Sequence, residues 1–268
     1  MSPAQQTVAA LHRYPVKSMM GESLNSTEVG TRGLLHDRSF ALGDPSNGKV
    51  VSAKNPGKWP TLFAFRAALA RGSGSNAVVE ITLPDGQIIA SNDPVLETVL
   101  SRALGRPVTF LNHAPAEAKL EEYWPDMEEL SNRDIVTEEP LPQGTFFDCA
   151  TVHLLTTATL DTLRSLYPAG RFEPRRFRPN VIIATPPEIT GFAESAWIGK
   201  AVSLGSQVQL KITGPCPRCV MTTLAQDDLP RDPLVLKTAA KHNHAHVGVY
   251  ASVTKGGVIR RGDVVHVD

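Results

Sequence analysis

Apolar and polar residues alternate in short runs through the first part of the chain. Thr7–Leu11, Leu24–Val29, Arg38–Leu42, Leu62–Leu69 and Val78–Thr82 carry the two-residue period that predicts strands. Turn residues punctuate them at Asp44-Pro45, Asn47-Gly48, Asn55-Pro56-Gly57 and Pro84-Asp85-Gly86. One segment changes period. Val95, Leu96, Val99, Leu100 and Leu104 recur at helical spacing, with Asp93 to cap them, Pro94 in the first turn and Gly105 to stop them. From about Pro115 to Pro142 the pattern lapses into a polar, acidic stretch containing Glu117, Glu121, Glu122, Asp126, Glu128 and Glu129. It reads as a long solvated connection, a linker or a lid.

Periodicity returns near Phe147. Leu160, Leu163 and Leu166 predict a helix over Thr157–Leu166, and strands follow at Val181–Ala184, Val202–Leu204, Val208–Ile212, Gly248–Val253 and Val264–Val267. Gly205-Ser206 and Lys255-Gly256-Gly257 read as hairpin turns. Many short strands with few helices predict a mainly β, α+β protein with curled or closed sheets. There is no internal repeat and no low-complexity tract.

Size and charge narrow the function classes. The 268 residues suffice for one large or two modest cores. Lys plus Arg equals Asp plus Glu at 27 each, which argues against a general binder of nucleic acid or membrane surface but leaves room for a local anion pocket. Three cysteines, Cys149, Cys216 and Cys219, do not make a disulfide framework. No leader pattern opens the sequence, and no apolar run reaches the roughly 20 residues that span a bilayer. A reducing, cytoplasmic setting is the expectation.

Four clusters carry candidate chemistry. Cys216-Pro217-Arg218-Cys219 places two thiols around a cation that favours thiolate. The pair is either functional or buried structure, and no second cysteine pair exists to complete an all-cysteine zinc site. Arg175-Arg176-Phe177-Arg178-Pro179-Asn180 is either an anion cradle, by the planar forks of its guanidinium groups, or a solvated basic loop. Tyr14-Pro15-Val16-Lys17-Ser18 offers an ammonium and a hydroxyl, though an exposed lysine is the ordinary alternative. His242, His244 and His246 alternate, so on a strand they share a face and can chelate a metal; as a polar loop they do nothing.

Taken in order, these motifs resemble one family. Tyr14 to Ser18, Asp37-Arg38, Phe177 to Asn180, Cys216 to Cys219 with Thr222-Thr223, Gly248 to Tyr250 and Arg260 to Val265 are similar to the MOSC family. The likeness extends over about residues 5 to 267, and is strongest to the branch with an N-terminal β-barrel domain. That branch includes mitochondrial amidoxime-reducing components and bacterial reductases of N-hydroxylated bases. The resemblance implies an N-terminal β-barrel-like domain over residues 5–114 and a C-terminal MOSC β-barrel domain over 115–268. It also implies a molybdenum cofactor (molybdopterin) whose metal is held by the thiolate of Cys219, the catalytic residue. Soft sulfur ligands suit that centre. Lys17, Ser18, Arg38, Asp148, Cys149, Arg178, Asn180, Pro217, Arg218 and Tyr250 match the remaining cofactor shell, in a cleft between the halves.

Two departures stand out. Pro217 replaces a common Ser, removing an N–H and a hydroxyl, and Cys149-Ala150 replaces small hydroxyl residues after Asp148. The implied activity is oxygen-atom removal from an N-hydroxylated small molecule, a detoxifying reduction. The four cysteines of a plant-type iron–sulfur domain do not occur, so electrons are expected from a separate flavoprotein, cytochrome b5-like or ferredoxin-like protein. No nucleic-acid or membrane partner is expected, and an association with pyridoxal phosphate binding travels with the family. Two other readings remain: a cofactor or sulfur carrier using a Cys216 or Cys219 persulfide, and a structural zinc protein using both cysteines and the histidines of Lys241–His246.

Overall fold

The computed structural model describes residues 5–70 and 77–268. Eight strands form one sheet, in the order Val265–Val267, Ala201–Leu204, Val208–Pro217, His246–Lys255, Val152–Thr156, Val181–Ala184, Thr7–Arg13 and Glu22–Leu24. Val152–Thr156 and Val181–Ala184 pair parallel, and the other neighbours pair antiparallel. A parallel step needs a crossover, which the helix Thr157–Leu166 supplies. Thr156 caps that helix by accepting the amide of Thr159.

The sheet curls until its far sides meet. Thr7 bridges Val264, the amide of Val8 donates to the Asp263 carbonyl at 2.8 Å, and the amide of Val265 donates to the Gln6 carbonyl at 2.9 Å. Closure leaves few unpaired edges. Alternate residues fill the barrel, among them Val8, Leu11, Leu154, Ile183, Val202, Leu210 and Val249. The opening strand of the chain is therefore part of the barrel built by the C-terminal strands.

A second core belongs to the N-terminal half. Val16, Met19, Phe40, Leu42, Phe65, Ile81 and Leu100 pack together under the three-stranded sheet Arg66–Leu69, Val79–Thr82, Ile88–Ala90 and the helix Leu96–Leu104. The helix stops where expected, at Gly105 in the left-handed conformation. Asp93 accepts the amide of Val95 just ahead of it. Met221, from the C-terminal half, also enters this core, and Cys219 packs against it.

Three expectations are corrected. The acidic stretch is no bare connection: Lys119–Trp124 and Ile135–Pro140 pair antiparallel. Its alternation is disguised because one inward position is a carboxylate. Leu120 and Glu122 both point inward, and Glu122 is buried against Lys54 at 3.0 Å. Second, Lys255-Gly256-Gly257 is not a hairpin turn. The strand Gly257–Arg260 leaves the barrel and pairs with Ser26–Gly30. Gly256 passes so close that a Cβ there would sit 2.6 Å from the Val29 carbonyl oxygen. Third, Leu62–Leu69 divides into a 3-10 turn, Leu62–Ala64, and the strand Arg66–Leu69, while Leu24–Val29 divides into Glu22–Leu24 and Ser26–Gly30.

Gly248 has a physical reason in two parts. Its φ is +84°, and a Cβ would lie 2.2 Å from His153 Nε2 and 2.5 Å from the Leu154 carbonyl oxygen. Gly248→Ala is predicted to cost about 3 kcal/mol, about 1–2 from the left-handed backbone and the rest from overpacking. Comparing urea midpoints of the two proteins checks this.

Candidate active site

A cavity of about 550 Å³ lies between the two cores, within the usual range for small-molecule sites. All eleven site residues expected from the sequence line it: Lys17, Ser18, Arg38, Asp148, Cys149, Arg178, Asn180, Pro217, Arg218, Cys219 and Tyr250. The acidic hairpin forms one wall through Leu120, Glu122, Trp124 and Glu139, so the stretch lines the cavity as paired strands rather than as a loop.

The basic floor is organised by one carboxylate. Asp37 is buried, accepts the amide of Tyr14 at 2.7 Å and the Asn180 side-chain amide at 2.9 Å, and pairs with Arg38. Asn180 also accepts the amide of His153 at 3.1 Å. Its side chain is thus spent on holding the barrel to the Tyr14–Ser18 loop. Arg38 and Arg178 stand over the Tyr14 ring, 4.5 Å and 4.1 Å from its centroid. Burial, with the charge of Arg38, draws the Arg178 pKa down to about 10. Arg178 Nη1 donates to the Met19 carbonyl at 2.6 Å.

Lys17 donates to the Phe146 carbonyl at 2.8 Å and pairs with Asp148. Burial lowers its pKa, and Asp148 opposes that. Burial would favour the neutral carboxyl of Asp148, but Lys17 and Lys54 outweigh it and hold Asp148 well below the usual carboxylate range. Lys54 lies between Asp148, at 3.5 Å, and Glu122. Burial works against its charge, yet Asp148 and Glu122 keep it firmly protonated. Sequence reasoning missed Lys54, Glu122 and His153, because each is remote from the motifs and only the fold brings it to the cavity.

Cys219 follows the strand Val208–Pro217 and opens the 3-10 turn Val220–Thr223. Burial pushes its thiol up to about 11, Glu122 adds to that, and Lys54 and Arg218 oppose it. Cys216 is fully buried. Arg218 Nη1 donates to its sulfur at 2.7 Å. Cys149 is exposed at the cavity rim, and partial burial still raises its pKa.

Backbone strain concentrates here. Of eight non-glycine residues with positive φ among those described, five line the cavity: Ser18, Arg38, Arg178, His244 and Ala245. Such outliers persist where surrounding structure forces them, commonly at functional sites. The histidines do not form a metal site. His242 lies in the last turn of the helix Pro233–Asn243, His244 caps that helix, and His246 opens the next strand. Among the described residues no three His, Cys, Asp or Glu side chains are placed to hold a metal.

Comparison with known proteins identifies the domains of the chain. The MOSC domain matches residues 142–266, and the MOSC N-terminal beta barrel domain matches residues 5–99. The chain belongs to the MOSC family. Mitochondrial amidoxime reducing component 2 of Macaca fascicularis is 26% identical over 97% of this chain and 83% of its own length. Molybdenum cofactor sulfurase of Oryza sativa subsp. japonica is 25% identical over 84% of this chain, which spans only 30% of that longer protein. The YuaD protein of Bacillus subtilis superposes over 98% of this chain and 96% of its own, with 12% identity and a TM-score of 0.48. A function associated with the molybdenum cofactor follows from the family. No helix among the described residues is long and apolar enough to cross a membrane.

His153 yields a pH prediction. It is buried at the cavity edge and donates from Nε2 to the Val247 carbonyl at 3.1 Å. Burial, with the charge of Arg218, draws its pKa down to about 3. The unfolded chain takes up this proton below about pH 6.5 and the folded chain does not until about pH 3, so stability falls as pH drops through that window. Between pH 7 and pH 5 the wild type should lose about 2 kcal/mol more than His153→Gln. Urea titrations at the two pH values test this; parallel losses would refute it.

Proposed function

We propose that this MOSC protein is a molybdenum-cofactor oxidoreductase that reduces N-hydroxylated small molecules. One observation carries the reading: Lys17, Arg38, Lys54, Arg178 and Arg218 converge with Cys219 on one cavity, and among the described residues Arg178 and Arg218 have no carboxylate within ion-pair distance to offset them. A buried polar atom without a partner, Nε of Arg218, lies at the same place. These groups fit an anionic, phosphate-bearing pterin whose metal takes one thiolate. Cys219 would be the metal ligand, as the family motif implies, and the buried sulfur of Cys216 already accepts from Arg218 Nη1.

Lys17, Arg38 and Arg178 would hold the anionic end of the cofactor. Asp148 and Asp37 aim Lys17 and Arg38. Ser18 uses its hydroxyl to accept the Ala53 amide at 3.1 Å, so it contributes by shaping the loop. Pro217 and Arg218 flank the ligand, and the Arg218 amide donates to the Ala245 carbonyl at 2.8 Å, fixing the strand end. Trp124 and Leu120 of the hairpin supply an apolar lining on one side. When bound, the cofactor supplies two-electron removal of the substrate's oxygen, with electrons delivered by a separate protein. The named relatives support this choice: amidoxime-reducing components match over nearly the whole chain.

The match to a molybdenum cofactor sulfurase favours a second reading, a sulfur or cofactor carrier using a cysteine persulfide. Elemental analysis of wild type and Cys219→Ala from a host that makes the cofactor separates the two. Molybdenum near one atom per chain, lost in the variant, and turnover of an N-hydroxylated amidine with a reductant are expected. Absence of molybdenum with a sulfane sulfur released by a thiol reductant would replace the first reading with the second.

A further inference from the structure

The arginine-rich cluster does not act as a unit. Arg178 faces the cavity, and Arg175 faces outward to Glu173 at 2.7 Å and to Asp227 at 3.4 Å. Arg176 turns the other way and is completely buried, at 0% exposure. Among the described residues no carboxylate lies within ion-pair distance of it. Its guanidinium donates to four backbone carbonyls instead. Nε reaches Arg171 at 2.8 Å, Nη1 reaches both Thr222 and Leu224 at 3.1 Å, and Nη2 reaches Pro230 at 2.8 Å.

Two of those carbonyls belong to the segment just after Cys219. Thr222 in turn donates to the Cys219 carbonyl from its amide at 3.2 Å and from its hydroxyl at 3.0 Å. A chain of hydrogen bonds therefore runs from Arg176 through Thr222 to Cys219. Arg176 and Arg178 also share one short turn, Pro174–Phe177 closed by Arg178 in the left-handed conformation. One prong of this turn grips the cysteine segment and the other enters the anion cradle.

We propose that Arg176 is a positioning residue that sets the Cys219 turn and couples it to the Arg178 side of the cavity. A buried cation with no carboxylate in direct ion-pair contact is a poor device for stability alone, since an apolar side chain of similar volume commonly serves better there. It is a good device for geometry, because a planar fork can bind four carbonyls in fixed directions. Lysine has three donors on a flexible stem and cannot reproduce this. The inference about the turn does not depend on the cofactor, while its consequence for metal content rests on the reading above.

The test compares wild type, Arg176→Lys, Arg176→Gln and the outward-facing control Arg175→Gln. Iodoacetamide labelling of metal-free protein is followed by peptide mass spectrometry, with the exposed Cys149 as internal reference. In folded Arg176→Lys, Cys219 should label at least about tenfold faster, the weight of one charge-assisted hydrogen bond, with Cys149 and the Arg175→Gln protein unchanged. Molybdenum content after expression in a cofactor-making host should fall in parallel. A Cys219 rate unchanged or slowed in folded Arg176→Lys would overturn the proposal. So would failure of both Arg176 variants to give a cooperative thermal transition, which would make the residue a general structural one. If wild type holds no molybdenum, the labelling result still decides the role of Arg176.

Discussion

The buried carboxylate of Asp37 is the constraint on which the site depends. A charge in the interior is tolerated only when its lone pairs are filled, and Asp37 fills them with the Tyr14 amide, the Asn180 side chain and Arg38. Those partners come from the end of the first strand, from the segment before Val181–Ala184 and from the neighbouring residue. One satisfied charge thereby fastens the N-terminal loop to the C-terminal barrel and aims Arg38 at the cavity. Tyr14, held by the same carboxylate, then provides the ring over which Arg38 and Arg178 stand.

Like charges gathered in this way must be offset. Asp148 and Glu122 alternate with Lys17 and Lys54, so the wall of the cavity is a chain of paired charges rather than a bare basic patch. Glu122 comes from the acidic hairpin, whose neighbour Glu121 takes Lys49 at 3.0 Å and Lys58 at 3.2 Å. The hairpin is thus both a wall and a counter-ion. Among the described residues, Arg178 and Arg218 are the cavity cations named above that have no carboxylate within ion-pair distance.

Cys219 sits where the two cores meet. Met221 anchors the segment in the N-terminal core, while the strand before it belongs to the barrel. A thiol at such a junction is part-buried and packs against the N-terminal core. Arg176 adds the opposite hold, on the carbonyl side of the same turn.

By itself the sequence determined the β-rich class and the helices near Asp93 and Thr157, and its family resemblance named eleven of the residues that meet at the cavity, though not Lys54, Glu122 or His153. Strand period, turn residues and the ordered motifs are local properties, legible without a fold. Tertiary structure decided the rest. The acidic stretch read as a connection because Glu122 occupies an inward position that only Lys54 makes tolerable. Gly256-Gly257 read as a hairpin because nothing local reveals that the next strand pairs with Ser26–Gly30. Arg175, Arg176 and Arg178 are alike in sequence, yet one is outward, one is buried against carbonyls and one faces the cavity. Which way a side chain points depends on what stands across from it, and those partners come from residues far along the chain.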